Sequence, residues 1–220
     1  LYAGESAALP EVGAVPIEFD LGEEARRVQE EIHEFFAKNV SDEERAKFHY
    51  SWEGHNPRIH KKLVEADLAY LQMPKDVGGR GLNAYAVTAA RDAFEEEGWN
   101  NPVAGVAQMV ALIMHRFGTE ELKQEVLSKV VAGDAICSLG YSEPGSGSDV
   151  FAAQCRAIPD GNGWKIEGTK MWTSGANLTD YVLMLTRTNT EVPKHKGLTM
   201  FIVPLKAEGV TVQAVHTFMD

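Results

Sequence analysis

The hydrophobic period of this chain changes once, near residue 134, and that change limits the folds open to it. From about Leu21 to Val131 apolar residues recur at helical spacing. "LGEEARRVQEEIHEFFAKNV" puts Ala25, Val28, Ile32, Phe35 and Phe36 on one stripe with charges opposite. "NPRIHKKLVEADLAYL" repeats the pattern with Ile59, Leu63, Val64 and Leu68. "MPKDVGGRGLN" then interrupts as a loop, through Pro74, Gly78, Gly79 and Gly81. "AYAVTAARDAFEEEG" predicts a helix closed by Gly98. "NPVAGVAQMVALIMHRFG" opens on Asn101-Pro102, stops at Gly118 and is apolar over most of its circumference, which predicts a buried central helix. "TEELKQEVLSKVVAGD" reads as one amphipathic helix with acids in its first turn.

After Asp134 the period is two. "AICSLGYS", "AAQCRAIP", "WKIEGTKMW", "DYVLMLTRT", "GLTMFIVPL" and "VTVQAVHTF" read as short strands, separated by turns such as 159–163. Helices followed by strands imply an α+β chain. Three segments are expected: a flexible arm over 1–18, a helical domain over 19–134 and a β domain over 135–220. The last strand candidate runs almost to residue 220 with no closing element, so the β domain is expected to continue further.

Charge narrows the function. Lys and Arg number 21 against 32 Asp and Glu, a formal net charge of −11. An acidic surface argues against nucleic acid as a partner. No apolar run approaches the length that spans a bilayer. The N-terminal stretch lacks the basic-then-apolar pattern of a signal peptide. The two cysteines, Cys137 and Cys155, sit in apolar, strand-like segments without metal-type spacing, which reads as two buried free thiols, with one disulfide as the alternative. His33, His49 and His115 have no partner at a metal-ligand spacing and are assigned surface or cap roles.

Two stretches carry the candidate chemistry. "YSEPGSGSDV" (141–150) combines Gly145 and Gly147, which let a ligand approach the backbone, with the hydroxyls of Ser142, Ser146 and Ser148. Consecutive N–H groups there suit an anion. Glu143 and Asp149 suit a phosphate badly and are assigned to capping the loop's own N–H groups. The same composition also makes an ordinary turn. "TKMWTSGAN" (169–177) sets the flat ring of Trp172 beside Thr173 and Ser174, an arrangement for a planar heterocycle or for a core Trp in a hairpin.

Four motifs, in order and spacing, resemble the acyl-CoA dehydrogenases, a flavoprotein family. "LQMPKDVGGRGL" is similar to its Pro-acidic-Gly-Gly segment, and "HRFGTEELKQEVLSKVVAGD" to the helix leading into its β domain. "YSEPGSGSD" is similar to its signature loop, and "GTKMWTSGAN" to the segment that follows. The resemblance implies an all-α N-terminal domain followed by an antiparallel β-barrel-like domain, with FAD as cofactor. It puts Tyr141 and Ser142 near the pyrimidine edge of the flavin, and Gly147 and Ser148 near the phosphates. It puts Ser148 also on the pantetheine arm of acyl-CoA, and Trp172 along the ring. Thr173 and Ser174 hold the ring's edge, Ser174 near N5. Gln108 and Met109 face the acyl chain, with core packing as the alternative. Tyr141 stands where the family has a small aliphatic residue, so its bulk is expected to reshape the ring pocket.

The implied reaction is α,β-dehydrogenation of an acyl-CoA to the enoyl-CoA, with electrons passed to an electron-transfer flavoprotein. The base is expected beyond residue 220, so no catalytic residue is assigned; Glu143 is rejected because the motif places it in the loop. Homo- or hetero-oligomers, dimers or tetramers, are implied, in the cytoplasm or, in a eukaryote, the mitochondrial matrix. An acyl-CoA oxidase and a non-catalytic partner subunit are the competing readings.

Overall fold

The computed structural model describes residues 21–48, 55–99 and 101–215. The expected N-terminal arm and His49 lie outside them. Among the described residues the chain is α+β, with helices up to residue 131 and a five-stranded sheet from residue 137.

The helices form where caps and stripes coincide. Helix α1 (Glu23–Asn39) has two acids in its first turn and Lys38 in its last, and buries the predicted stripe of Ala25, Val28, Ile32, Phe35 and Phe36. A short helix, α2 (Asp42–Arg45), starts from a capping box between Ser41 and Glu44. Asn56, Asn83 and Asn101 each accept backbone N–H bonds at the starts of α3 (Pro57–Glu65), α4 (Ala84–Glu96) and α5 (Pro102–Phe117). Helix α3 stops before Leu68 because Asp67 turns left-handed, at φ 57°, and lets Leu68 N–H bond back to Leu63. Packing of α1 on α3 and α4 gathers Phe36, Ile59, Ala90 and Trp99 into one core, with Phe36 edge-on to Phe94.

Two helical expectations change. Helix α5 is not buried all round. Val103, Ala107, Val110, Ala111 and Met114 are buried, but Met109 is 42 % and Phe117 is 74 % exposed. Its described neighbours, strand β1 (Cys137–Gly140) and the helical segment after residue 119, cover one side only. That segment is also not one regular helix: a π-helical turn (Lys123–Leu127) separates α6 (Glu120–Leu122) from α7 (Ser128–Val131).

The sheet is mixed rather than wholly antiparallel. Strands β2 (Arg156–Asp160) and β3 (Gly163–Glu167) make an antiparallel hairpin. Strand β4 (Tyr181–Arg187) pairs antiparallel with β5 (Leu198–Pro204) along its whole length. Its other edge takes β1 in parallel, Cys137 opposite Tyr181, and meets β2 at Arg187. Parallel pairing requires a crossover, and residues 141–180 supply it. The candidate sixth strand is irregular over 210–215, and the rest of it lies outside the described residues. A second core of Tyr70, Met73, Val110, Met114, Val130, Cys137 and Leu183 joins the helices to the sheet. Cys137 and Cys155 are free and buried, as read from the sequence.

Candidate functional site

Both candidate stretches lie in the β1-to-β4 crossover, and the fold brings them together. Met171 N–H donates to the Ser142 carbonyl at 2.9 Å. The Lys170 ammonium donates to the Tyr141 carbonyl at 3.1 Å and to Glu143 Oε1 at 2.8 Å. Glu143 also accepts from Gln154 N–H at 2.7 Å and Cys155 N–H at 2.9 Å. Glu143 thus accepts backbone N–H bonds, as expected, but from Gln154 and Cys155 beyond the loop rather than from the loop's own amides. Burial raises its carboxyl pKa, but the Lys170 ammonium and the two amides outweigh this and hold it below the ordinary carboxylate range. The cap assigned to Asp149 is absent: its side chain makes no cap bond and instead pairs with Lys194 on the surface, at 2.5 Å.

The loop itself is tight. Glu143 and Ser146 exchange backbone bonds at 2.8 and 3.1 Å, which turns Pro144 and Gly145 outward. A Cβ added at Gly145 or Gly147 would meet nothing within 4 Å, so a ligand can reach this backbone directly. Beside the loop lies a cavity of about 440 Å³, walled by Glu143, Pro144, Gly145, Gln154 and Arg156 among others.

Trp172 carries the clearest local signature. Its φ is 61°, in the left-handed region that bulky residues avoid, and its side chain is exposed although aromatic. Strain of this kind, on the order of 1–3 kcal/mol, collects at binding sites. The turn is held by Ser174 N–H on the Trp172 carbonyl, at 3.0 Å. Gly175 closes it at φ 72°; a Cβ there would come within 2.5 Å of Val103, so only glycine lets the turn rest on α5.

Three buried hydroxyl oxygens among the described residues have no hydrogen-bond partner: those of Ser146, Thr173 and Thr179. Leaving such a group unpaired costs about 1–3 kcal/mol, so each calls for an explanation. Ser146 and Thr173 sit one in each stretch. Of the other predicted residues, Ser142 is half-buried under the Lys170 bridge, while Gly147, Ser148 and Ser174 are exposed. The Tyr141 ring packs on the second core and its hydroxyl donates to Met200 Sδ at 3.4 Å, on β5. Gln108 lines a separate cavity of about 280 Å³ between α4 and α5; Met109 is exposed outside it.

Sequence reasoning missed the polar cluster at the start of α5. His60 is 4 % exposed, with Tyr70 Oη 3.5 Å from its Nε2, and His55 Nδ1 lies 3.4 Å from Asn101 Nδ2. Burial pushes the His60 imidazole down to about 4 and the Tyr70 phenol well above its usual value. His60 sits in an otherwise regular helical stripe, so its position on the buried face was the available signal.

Open backbone at two glycines, unpaired hydroxyls and an outward aromatic ring can accommodate an anion joined to a flat heterocycle. Comparison with known proteins makes this specific. Residues 22–134 match the family model for the acyl-CoA dehydrogenase N-terminal domain, and residues 138–219 match that for its middle domain. The chain belongs to the acyl-CoA dehydrogenase family, whose cofactor is FAD. Acyl-CoA dehydrogenase FadE26 of Mycobacterium tuberculosis is 38% identical over 150 residues, 67% of this chain and 37% of that protein. The solved structure described as the Tcur3481-Tcur3483 steroid ACAD is 33% identical, with a TM-score of 0.75 over 86% of this chain and 50% of its own. The ChsE4-ChsE5 complex from M. tuberculosis is 30% identical, with a TM-score of 0.80 over 92% and 52%. The chain thus spans about half the length, or less, of the relatives it matches.

Proposed function

We propose that this chain supplies the FAD cradle of an acyl-CoA dehydrogenase, acting on a thioester and passing electrons to an electron-transfer flavoprotein. The observation that carries the reading is the junction of two separated stretches, each with a buried hydroxyl lacking a partner, beside an outward Trp172. FAD, when bound, supplies the acceptor for the hydride lost from the acyl β-carbon. Tyr141 and Ser142 would present backbone groups to the pyrimidine edge, and Gly147 and Ser148 would present N–H and hydroxyl donors to the phosphates. Trp172 would lie along the ring and shield it from water. Thr173 and Ser174 would donate at its edge, Ser174 toward N5, where such bonds favour the reduced state. Ser148 would also meet the pantetheine arm, and α5, through Gln108 and Met109, would border the acyl group.

The base that removes the α-proton is assigned outside the described residues. Glu143 is unsuited to the task, since both of its oxygens are committed to Lys170, Gln154 and Cys155. A second reading has support of its own: one structure at 30% identity is named as the ChsE4-ChsE5 complex, and another at 33% carries the paired name Tcur3481-Tcur3483. On that reading this chain works beside a homologous subunit.

The test is the visible spectrum and intact mass of the natural protein, followed by anaerobic addition of acyl-CoA thioesters. Straight-chain, branched, aromatic and steroid side-chain acyl groups make up the panel. A flavin band that bleaches with one class supports the dehydrogenase. Bleaching only after a homologous partner is added supports the two-component reading. Rapid recolouring in air points to an oxidase, and the absence of any flavin band refutes the cradle.

A further inference from the structure

The ion pair between Lys170 and Glu143 stands apart from the others. Its side chains are 5% and 8% exposed. The next most sheltered members of any ion pair among the described residues are Glu97, at 13%, and Arg80, at 21%, and each of those has a more exposed partner. A buried ion pair seldom adds stability over well-packed apolar residues, because desolvating two charges offsets their attraction. What it does well is fix geometry, since both charges must find all their partners at once.

Here the partners span the whole cradle. Lys170 reaches back to the Tyr141 carbonyl, at the entry to the first stretch. Glu143 lies inside that stretch and holds the amides of Gln154 and Cys155, where the chain leaves it for β2. Residue 170 immediately precedes the Met171 N–H that bonds to Ser142 and the strained turn at Trp172. Of the three buried hydroxyls without partners, the two inside the stretches, Ser146 and Thr173, lie three residues from Glu143 and from Lys170 respectively. The backbone bond from Met171 N–H to the Ser142 carbonyl runs alongside the ion pair.

We infer that Lys170 and Glu143 are positioning residues for the cofactor: a buried ion pair that locks the two stretches into one rigid body, so that their donors face FAD together. This rests on the reading of both stretches as the FAD cradle. Neither side chain needs to touch FAD; each acts through the loops it holds.

The test uses the natural protein in its full length, stripped of flavin and titrated with FAD. Glu143→Gln keeps the shape and removes the anion. FAD affinity is expected to fall about tenfold or more, with a shifted flavin absorption band, and the apoprotein to melt at a lower temperature because Lys170 is left buried without its anion. Unchanged affinity and spectrum overturn the inference. So does a large fall in melting temperature with unchanged affinity, which marks a merely structural pair. If Glu143→Gln does not fold, the double variant Glu143→Gln/Lys170→Met leaves no unpaired buried charge and is judged by the same two readouts. A wild-type protein that takes up no FAD refutes the cradle reading itself, and this inference with it.

Discussion

The helical half and the crossover treat buried polar groups in opposite ways. Before residue 135, side chains close their own accounts: Asn56, Asn83 and Asn101 cap helices, and Arg45 and His33 both pair with Glu97. Every buried hydroxyl without a partner among the described residues comes after residue 140. So does the one aromatic residue with left-handed backbone, Trp172. The helical half satisfies its polar groups internally, whereas the crossover leaves hydroxyls unpaired. The two halves should therefore answer mutation differently.

The largest effect on stability is expected from Phe36→Ala. The ring is fully buried against Phe35, Phe94 and Trp99. Its loss should cost about 3–5 kcal/mol in urea unfolding, with the FAD affinity of the folded fraction unchanged. Weaker FAD binding in the folded fraction would break the division between halves.

Acid should also act on the helical half, through His60. Its folded pKa is lowered from 6.5 to about 4, so between these values the unfolded chain binds the extra proton. That contribution is complete above pH 6.5 and is lost as pH falls from there toward 4. Wild type should lose about 2 kcal/mol between pH 7 and pH 5 relative to His60→Gln. Parallel pH profiles for the two proteins would refute this.

Asn101→Ala removes the acceptor for Ala104 N–H at the start of α5 and should cost about 1 kcal/mol. Thr173→Val sharpens the comparison from the other side. Its hydroxyl has no protein partner, so deleting it should leave the apoprotein unchanged or up to about 1 kcal/mol more stable, while FAD binds more weakly. An apoprotein destabilised by Thr173→Val would mean that the hydroxyl is satisfied within the protein.

How much of this was legible depends on the range of the interaction. The α1 stripe is a local pattern, and all five residues read from it are buried. The stop of α3 at Glu65 rests on one left-handed aspartate, which no period reveals. The parallel pairing of β1 with β4 was invisible, because strand direction is set by how the crossover folds back. In the site, Glu143 was legible as an acceptor of backbone N–H bonds from its chemistry, but its partners, 11 and 12 residues away, were not. Lys170 stood in plain view within "GTKMWTSGAN", but its tie to Tyr141 exists only once the crossover has folded. The contact between the Tyr141 hydroxyl and Met200, on a strand far along the chain, was likewise out of reach of the sequence.

That parallel pairing also bears on the order of folding. The Ile136 amide meets its acceptor on Asp180, 44 residues along the chain, so a large loop must close before β1 and β4 can join. Contacts of such high separation form slowly compared with those inside a helical bundle. The cradle lies wholly within that loop and is fixed only after it closes. In refolding, the capacity to capture FAD should therefore emerge in the last kinetic phase, well after the helical signal has been recovered.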